Sequence, residues 1–354
     1  MADITDTIGT TARDFSTQVL WEASWGVHSG DNLTGEMYPD SDFDEAPVFN
    51  DPTPTSVLLT TATDMWHKGV EDAGVRVLMS GNKQCYVIDR NDVTIENIEI
   101  DYARAHTAGV ATGCVEVTST TSDVLLNKIM LHGVQQTAGE AGGLVGVYAN
   151  GNNNRVMNSW IYDFEMSRNA YVRGLMLNGI VTKNQEILNC VVANIINLGT
   201  NSSADAYGIY VTFNVANKIL TNNICMGIVK THIDAEALDF MARGSSTVTY
   251  CASEDDTSDD QGGAGNLINK TFANQFVGVT PGSENLALKT GADVIGAGTN
   301  LGTTPAGIEE TINDLTRSAP WDMGAWKYVA SETILDFDHS VGRGMHRGLA
   351  VGIN

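Results

Sequence analysis

The sequence predicts an all-β protein built as a parallel β-helix, a solenoid of short stacked strands. Three observations carry that expectation. Apolar anchors recur about every 31 residues, the residues around each anchor alternate with period two, and 36 glycines against 7 prolines suit many turns better than long helices.

The repeat starts at NDVTIENIEIDY, from Asn91, and returns as SDVLLNKIMLHG, NRVMNSWIYDF, QEILNCVVANI and NKILTNNICMGI. One anchor column is Ile95, Leu126, Val156, Ile187 and Ile219, with steps of 31, 30, 31 and 32. Five residues on lies a second column, Ile100, Leu131, Ile161, Val192 and Ile224. Asn97, Lys128, Asn158, Asn189 and Thr221 fall at the corner between them. Asparagine suits such a corner because it tolerates the left-handed region and can bond along the stack. Further short strands lie between these segments, in GCVEVTS, GLVGVYAN, RGLMLNGIV and YGIYVTF. A coil cannot bury its own inner face, and stacking coils roughly 4.8 Å apart makes one continuous core. Leucine-rich repeats have a shorter period, roughly 20–29 residues, and a register missing here.

Three regions follow from this pattern. Residues 1–55 form a capping or attachment segment, 56–330 the β-helix with its closing segment, and 331–354 a C-terminal contact arm. Ser16 can N-cap a short helix anchored by Leu20, Trp21 and Trp25. Regular coils run from about Val57 to Ile228. The acidic stretch from Ser253 to Gly265 reads as a long solvated loop, and 266–295 as less regular coils.

Composition narrows the partners. Asp and Glu number 43 against 20 Lys and Arg, a net charge of −23, which repels phosphate backbones and anionic headgroups. Neither nucleic acid nor membrane insertion is expected. The five cysteines form no CxxC pair, which predicts buried reduced thiols and no metal site. No cofactor is expected. The N-terminus has no basic and apolar signal regions, so no secretion signal is read there.

Catalytic candidates are sparse. In THIDAEALDF the residues Asp234, Glu236 and Asp239 accompany His232. On a strand, Asp234 and Glu236 would share a face roughly 7 Å apart, suiting an acid/base pair or a cation. The alternative is a solvated outer face. Asp101 and His132 occupy equivalent positions on adjacent coils and form a second candidate, or a surface ion pair.

One outward face is apolar. An outward column reads Glu96, Asn127, Met157, Leu188, Leu220, and another Glu99, Met130, Trp160, Val191, Asn223. Strands apolar on both faces are covered on both. The cover is either the chain's own loops and arms or a subunit contact through Met130, Met157, Trp160, Leu188, Val191 and Leu220, most simply in a homotrimer.

The two ends carry a family resemblance. IGTTARDFSTQVLWEAS with GEMYPDSDFDEAPVF resembles the opening of β-helix proteins from tailed bacteriophages and related metagenomic sequences. LALKTGADVIGAGTNLG with RSAPWDMGAWKY is similar to the closing segment of pectate-lyase-like β-helix proteins, with Asp322, Gly324, Ala325 and Trp326 as the matching residues. The resemblance implies a right-handed, single-stranded parallel β-helix. It also implies a structural virion protein assembled in the host cytoplasm, either a head decoration or cement protein or a tail spike or fibre component. Its partners would be other virion proteins, capsid or tail, and host surface polysaccharide. One alternative is a tailspike-like depolymerase, although the NTD, DD and GHG motifs of polygalacturonase-like enzymes do not appear in order, and another is a sugar-binding module without catalysis, with aromatics such as Trp160 or Tyr210 stacking on sugar rings.

Overall fold

The computed structural model describes residues 1–40, 42–80, 83–103, 113–119, 121–137, 142–178, 184–212, 218–242 and 244–330. The chain forms a β-solenoid of about seven turns with a period of about 31 residues. Its strands stack into three sheets. Sheet A has nine strands, from Asp3–Ile8 to Thr247–Thr249. Sheet B runs from Arg76–Leu78 to Ala252–Ser253, and sheet C from Val48–Phe49 to Ala237–Met241. Every pairing within these sheets is parallel, as the repeat requires.

The predicted anchors face inward through four coils. Ile95, Leu126, Val156 and Ile187 are in register in sheet A, and Ile100, Leu131 and Ile161 in sheet B, all buried in one core. The next coil holds one more residue than the column reading allowed. Ile187 pairs with Leu220, not Ile219, and Val192 pairs with Cys225, not Ile224. The expectation that Leu220 faces outward is therefore corrected, since it lies in the core. Thr221 takes the outward place beside Leu188 and Ile224 that beside Val191, and the corner residue is Asn222, with φ +58.

Asn97, Lys128, Asn158 and Asn189 also hold positive φ at the turn from sheet A to sheet B. Three of these turns are joined along the stack. Asn158 Nδ2 donates to Asn127 Oδ1 at 3.1 Å, Asn189 Nδ2 to Asn158 Oδ1 at 3.1 Å, and Asn222 Nδ2 to Asn189 Oδ1 at 3.0 Å. The five cysteines are buried and unpaired. Sheet C approaches the core most closely at glycines: a Cβ on Gly208 would lie 1.8 Å from Cys225 Sγ, and one on Gly174 2.4 Å from Val192 Cγ1.

Both ends are closed within the chain. At the N-terminus Thr17, not Ser16, caps helix Gln18–Glu22, accepting from the Leu20 amide. Trp21 and Trp25 are fully buried, but Leu20 is half exposed and does not anchor the helix. An aromatic stack continues from Trp25 through Phe49 to Tyr86, with centroids 5.3 and 5.8 Å apart. The capping segment also contributes two sheet A strands, Asp3–Ile8 and Asn32–Met37. At the other end the acidic stretch is a loop whose Glu254, Asp256, Asp259 and Asp260 are exposed, as expected, but it is tied down against the last coil. Thr257 Oγ1 accepts from the Phe240 amide at 2.9 Å and Asp255 Oδ2 from the Asp239 amide at 3.0 Å, which closes the free edge of sheet C.

The segment after it forms no further regular coil. Strands Phe276–Gly278 and Asn285–Leu288 pair antiparallel, and the chain from Phe272 to Ala325 packs on the outside of sheet B. It covers the apolar stripe. Met130, Trp160, Val191 and Ile224 lie under Leu286, Val294, Ile312 and Met323, with Trp326 stacked on Trp160 at 5.6 Å. Met157 and Leu188 lie under Ile308 and Trp321. Each such side chain gains about 1.5–3 kcal/mol from leaving water. The expected subunit contact therefore has no exposed stripe to form on, because the chain supplies its own cover.

The closing motif holds that cover in place. Asp322 accepts from the Gly296 and Tyr328 amides at 2.8 and 2.7 Å. The Gly324 amide donates to the Asn222 carbonyl at 2.6 Å. Arg317, whose pKa burial pulls down to about 10, bonds the carbonyls of Asp322 and Gly324. The expected contact arm at 331–354 lies outside the described residues.

Candidate functional site on the outer face of sheet C

Two columns of sheet C, three residues apart and separated by the core-facing Gly146, Gly174 and Gly208 and the residue after each, lie outside the core, so the strict alternation of a strand is broken there. One is Val145, Arg173, Tyr207 and Leu238, and the other Tyr148, Met176, Tyr210 and Met241. None of them joins the apolar clusters formed by the core or by the closing segment. Tyr148, Tyr171, Arg173 and Tyr210 are partly exposed, while Val145, Met176, Tyr207 and Met241 are nearly closed off.

Arg173 is the centre of this face. Its guanidinium lies 3.8 Å from the Tyr171 ring centroid, 3.7 Å from that of Tyr210 and 5.7 Å from that of Tyr207. Such cation–π contacts stabilise the charge where water is partly excluded. Burial lowers its pKa, and the nearby tyrosines partly offset that. One terminal nitrogen donates to Met176 Sδ at 3.1 Å, a weak acceptor. Its Nε is closed off from solvent and has no hydrogen-bond partner.

Polar groups rim the face. Tyr207 donates its hydroxyl to Glu236 Oε2 at 2.8 Å, and burial together with that bond raises its pKa. Asn178 Nδ2 donates to the Tyr148 hydroxyl oxygen, and Gln84 to Glu116. Tyr207 and Tyr210 lie 5.0 Å apart. Part-exposed rings around a cation, with amide and carboxylate groups at the edge, can stack on sugar rings and hydrogen-bond their hydroxyls.

The sequence-predicted acids do not form a catalytic set. Residues 231–235 are turns and bends, and the strand begins at Ala237, so Asp234 and Glu236 do not share a strand face. Asp234 is exposed. Glu236 sits at the rim, its amide donating to Asp205 Oδ1 at 2.8 Å. Asp239 is buried, with Oδ2 accepting from the Glu254 and Asp255 amides. Burial and the adjacent Asp255 raise its pKa well above the carboxylate range.

The pair Asp101 and His132 is in register, but His132 bonds elsewhere. Its Nε2 lies 3.0 Å from Glu99 Oε1, while Nδ1 is 3.8 Å from Asp101. Glu99 is fully enclosed, Tyr162 stacks on the imidazole at 5.0 Å, and Tyr162 donates to Glu71 at 2.7 Å. Glu99 also accepts from the Asp72 amide. This enclosed pair ties the 66–75 loop to sheet B and is not a surface ion pair. Among the described residues no group of three or more His, Cys, Asp or Glu is placed to hold a metal ion.

Of this face the sequence singles out Tyr210 alone, as a ring able to stack on sugar; its neighbours escape notice because the two outward columns are three residues apart and do not follow the period of two. Aligning GLVGVYAN, YVRGLML and YGIYVTF in the register of the stack puts Tyr148, Met176 and Tyr210 in one column and Arg173 beside Tyr207.

These buried acids predict a pH profile. Burial raises the pKa of Glu99, Asp239 and Glu284, so the folded state holds their protons more tightly than the unfolded chain. Their contribution is greatest at low pH and is lost as pH rises through the folded values. His132 acts in the same direction: burial lowers its pKa, but Glu99 outweighs that and leaves it raised. Its contribution is complete below about 6.5 and is lost above. His67, lowered to about 4 by burial, opposes this, because its contribution exists above about 6.5 and is lost as pH falls towards 4. The thermal midpoint should therefore fall as pH rises above about 6.5, through the raised folded value of His132, in a range where His67 no longer changes. Asp239→Asn, which mimics the neutral acid, should flatten that fall. An unchanged slope in this variant would show that Asp239 is ionised at neutral pH.

Compared with known proteins, the chain matches no family model, no curated protein and no solved structure.

Proposed function

We propose that this chain is a non-enzymatic structural protein on the exterior of a tailed-bacteriophage particle, and that the outer face of sheet C attaches it to carbohydrate on the host surface. The observation that carries the attachment role is the contact of Arg173 with the rings of Tyr171, Tyr207 and Tyr210, beside the outward column of Tyr148 and Tyr210, on a sheet face that the described closing segment does not cover. The virion setting is supported by the opening and closing segments quoted above, and it fits a scaffold whose two ends are capped within one chain. A homotrimer loses its original ground, since Met130, Met157, Trp160, Leu188 and Val191 are already covered.

Binding to purified bacterial surface polysaccharides, followed by calorimetry, tests the reading. Tyr210→Ala should weaken binding about tenfold, equivalent to about 1.4 kcal/mol. Absence of binding across the panel would overturn the attachment role. The depolymerase reading is favoured by one observation, the position of Glu236 and Asp205 beside Tyr207. It predicts new reducing ends or unsaturated sugar ends that disappear in Glu236→Gln. The proposed reading predicts none.

A further inference from the structure

We infer that the sheet C face is selective for an acidic sugar, whose carboxylate is held by Arg173. This inference rests on the attachment reading and names its ligand class.

The argument is how the arginines are used. Arg13, Arg76 and Arg155 pair with the carboxylates of Asp40, Asp42 and Glu186. Arg90 and Arg317 spend their N–H groups on backbone carbonyls. Arg173 does neither. Among the described residues its single side-chain hydrogen bond is to a thioether sulfur, and no carboxylate pairs with it directly, Asp205 acting on it only from farther off. In a chain with 43 acidic residues, a part-exposed guanidinium held among tyrosines without a directly paired carboxylate keeps terminal N–H donors free of any strong acceptor. A ligand carboxylate would supply that acceptor at the part-exposed end of the side chain. The guanidinium fork matches a carboxylate in two parallel hydrogen bonds, and partial exclusion of water strengthens them. The rings beside it supply the stacking surface, and Tyr148 and Tyr210, two coils apart, lie roughly 9.6 Å apart along the solenoid axis. A neutral sugar would fill the stacking surface and leave Arg173 unsatisfied.

The test uses the full chain and oligomers of glucuronate, mannuronate and sialic acid, each beside its carboxyl-reduced form. At least one acidic oligomer should bind ten times more tightly than its reduced counterpart. Arg173→Gln should weaken the acidic form much more than the reduced form and bring the ratio close to one. Arg173→Lys, which keeps the charge but loses the fork, should retain only part of it. Tyr210→Ala should weaken both forms together. Near-ultraviolet circular dichroism checks that the variants stay folded. Equal binding of every acidic oligomer and its reduced form would overturn the inference and leave the attachment reading standing. No binding to any oligomer, acidic or neutral, would overturn both.

Discussion

His132→Ala is expected to destabilise the coil stack by about 3–5 kcal/mol, the loss that follows when one partner of a buried ion pair is removed. The size comes from Glu99. Its side chain is fully enclosed, and His132 at 3.0 Å is its cationic partner. The Asp72 amide then remains as its hydrogen-bond donor, with only the more distant Arg76 charge to help. In the variant Glu99 either stays charged without a close counter-ion or takes up a proton at neutral pH, and both cost stability. Tyr162 also loses the ring it stacks on, so a cavity adds to the effect. Urea unfolding of His132→Ala, Glu99→Gln and the double variant separates the contributions. The double variant should recover a large part of the loss, because the buried charge is gone. If His132→Ala lies within about 1 kcal/mol of the parent, the pair is not ionised in the folded protein and the expectation fails.

How much of this was legible in the sequence depends on which side of a strand is asked about. Inward positions repeat under one constraint, the stacked core, so Ile95, Leu126, Val156 and Ile187 could be aligned by spacing alone. The alignment slipped at the next coil because Ile219 and Leu220 are both aliphatic, and Ile224 suits the second column at least as well as Cys225, which occupies it. An aliphatic column cannot report a one-residue insertion. The corner could have done so: Asn222, not Thr221, holds the left-handed conformation that asparagine adopts at Asn97, Asn158 and Asn189. Outward positions have no common constraint. The apolar stripe was visible, but its cover comes from residues 272–326, far along the chain, and no local pattern shows where that segment returns. The acids of THIDAEALDF were visible too. What separates them is a turn that ends before Ala237, which places Asp239 inside and Asp234 outside. Arg173 needed the three-dimensional neighbourhood, since what sets it apart is a setting of tyrosine rings with no directly paired carboxylate among the described residues.

Asn189→Ala should cost at least about 3 kcal/mol and should also loosen the closing segment. Asn189 is fully buried, with φ +54. Its Nδ2 donates to Asn158 Oδ1 and to the Ile308 carbonyl, both at 3.1 Å, and its Oδ1 accepts from Asn222 at 3.0 Å. Alanine removes all three bonds, and each buried group left unpaired costs about 1–3 kcal/mol. Alanine is also strained in the left-handed region by roughly 1–2 kcal/mol. Asn189→Gly removes the bonds without that strain, so the difference between the two variants isolates the backbone contribution. The position matters because the same ladder fastens the cover. Asn158 bonds the Gly307 carbonyl, Asn189 that of Ile308, and Asn222 that of Thr299, which donates back to Asn222 Oδ1 at 2.8 Å. Breaking the middle of the ladder should therefore raise hydrogen exchange at the amides of Thr299 and Gly324, which bond Asn222, before the core strands open. Met157, Leu188 and Trp160 would then be transiently uncovered, and light scattering should detect self-association in the variant at concentrations where the parent stays dispersed. If both variants lower global stability while those amides keep their protection relative to the core, the ladder serves the stack alone and the cover is held by its apolar contacts.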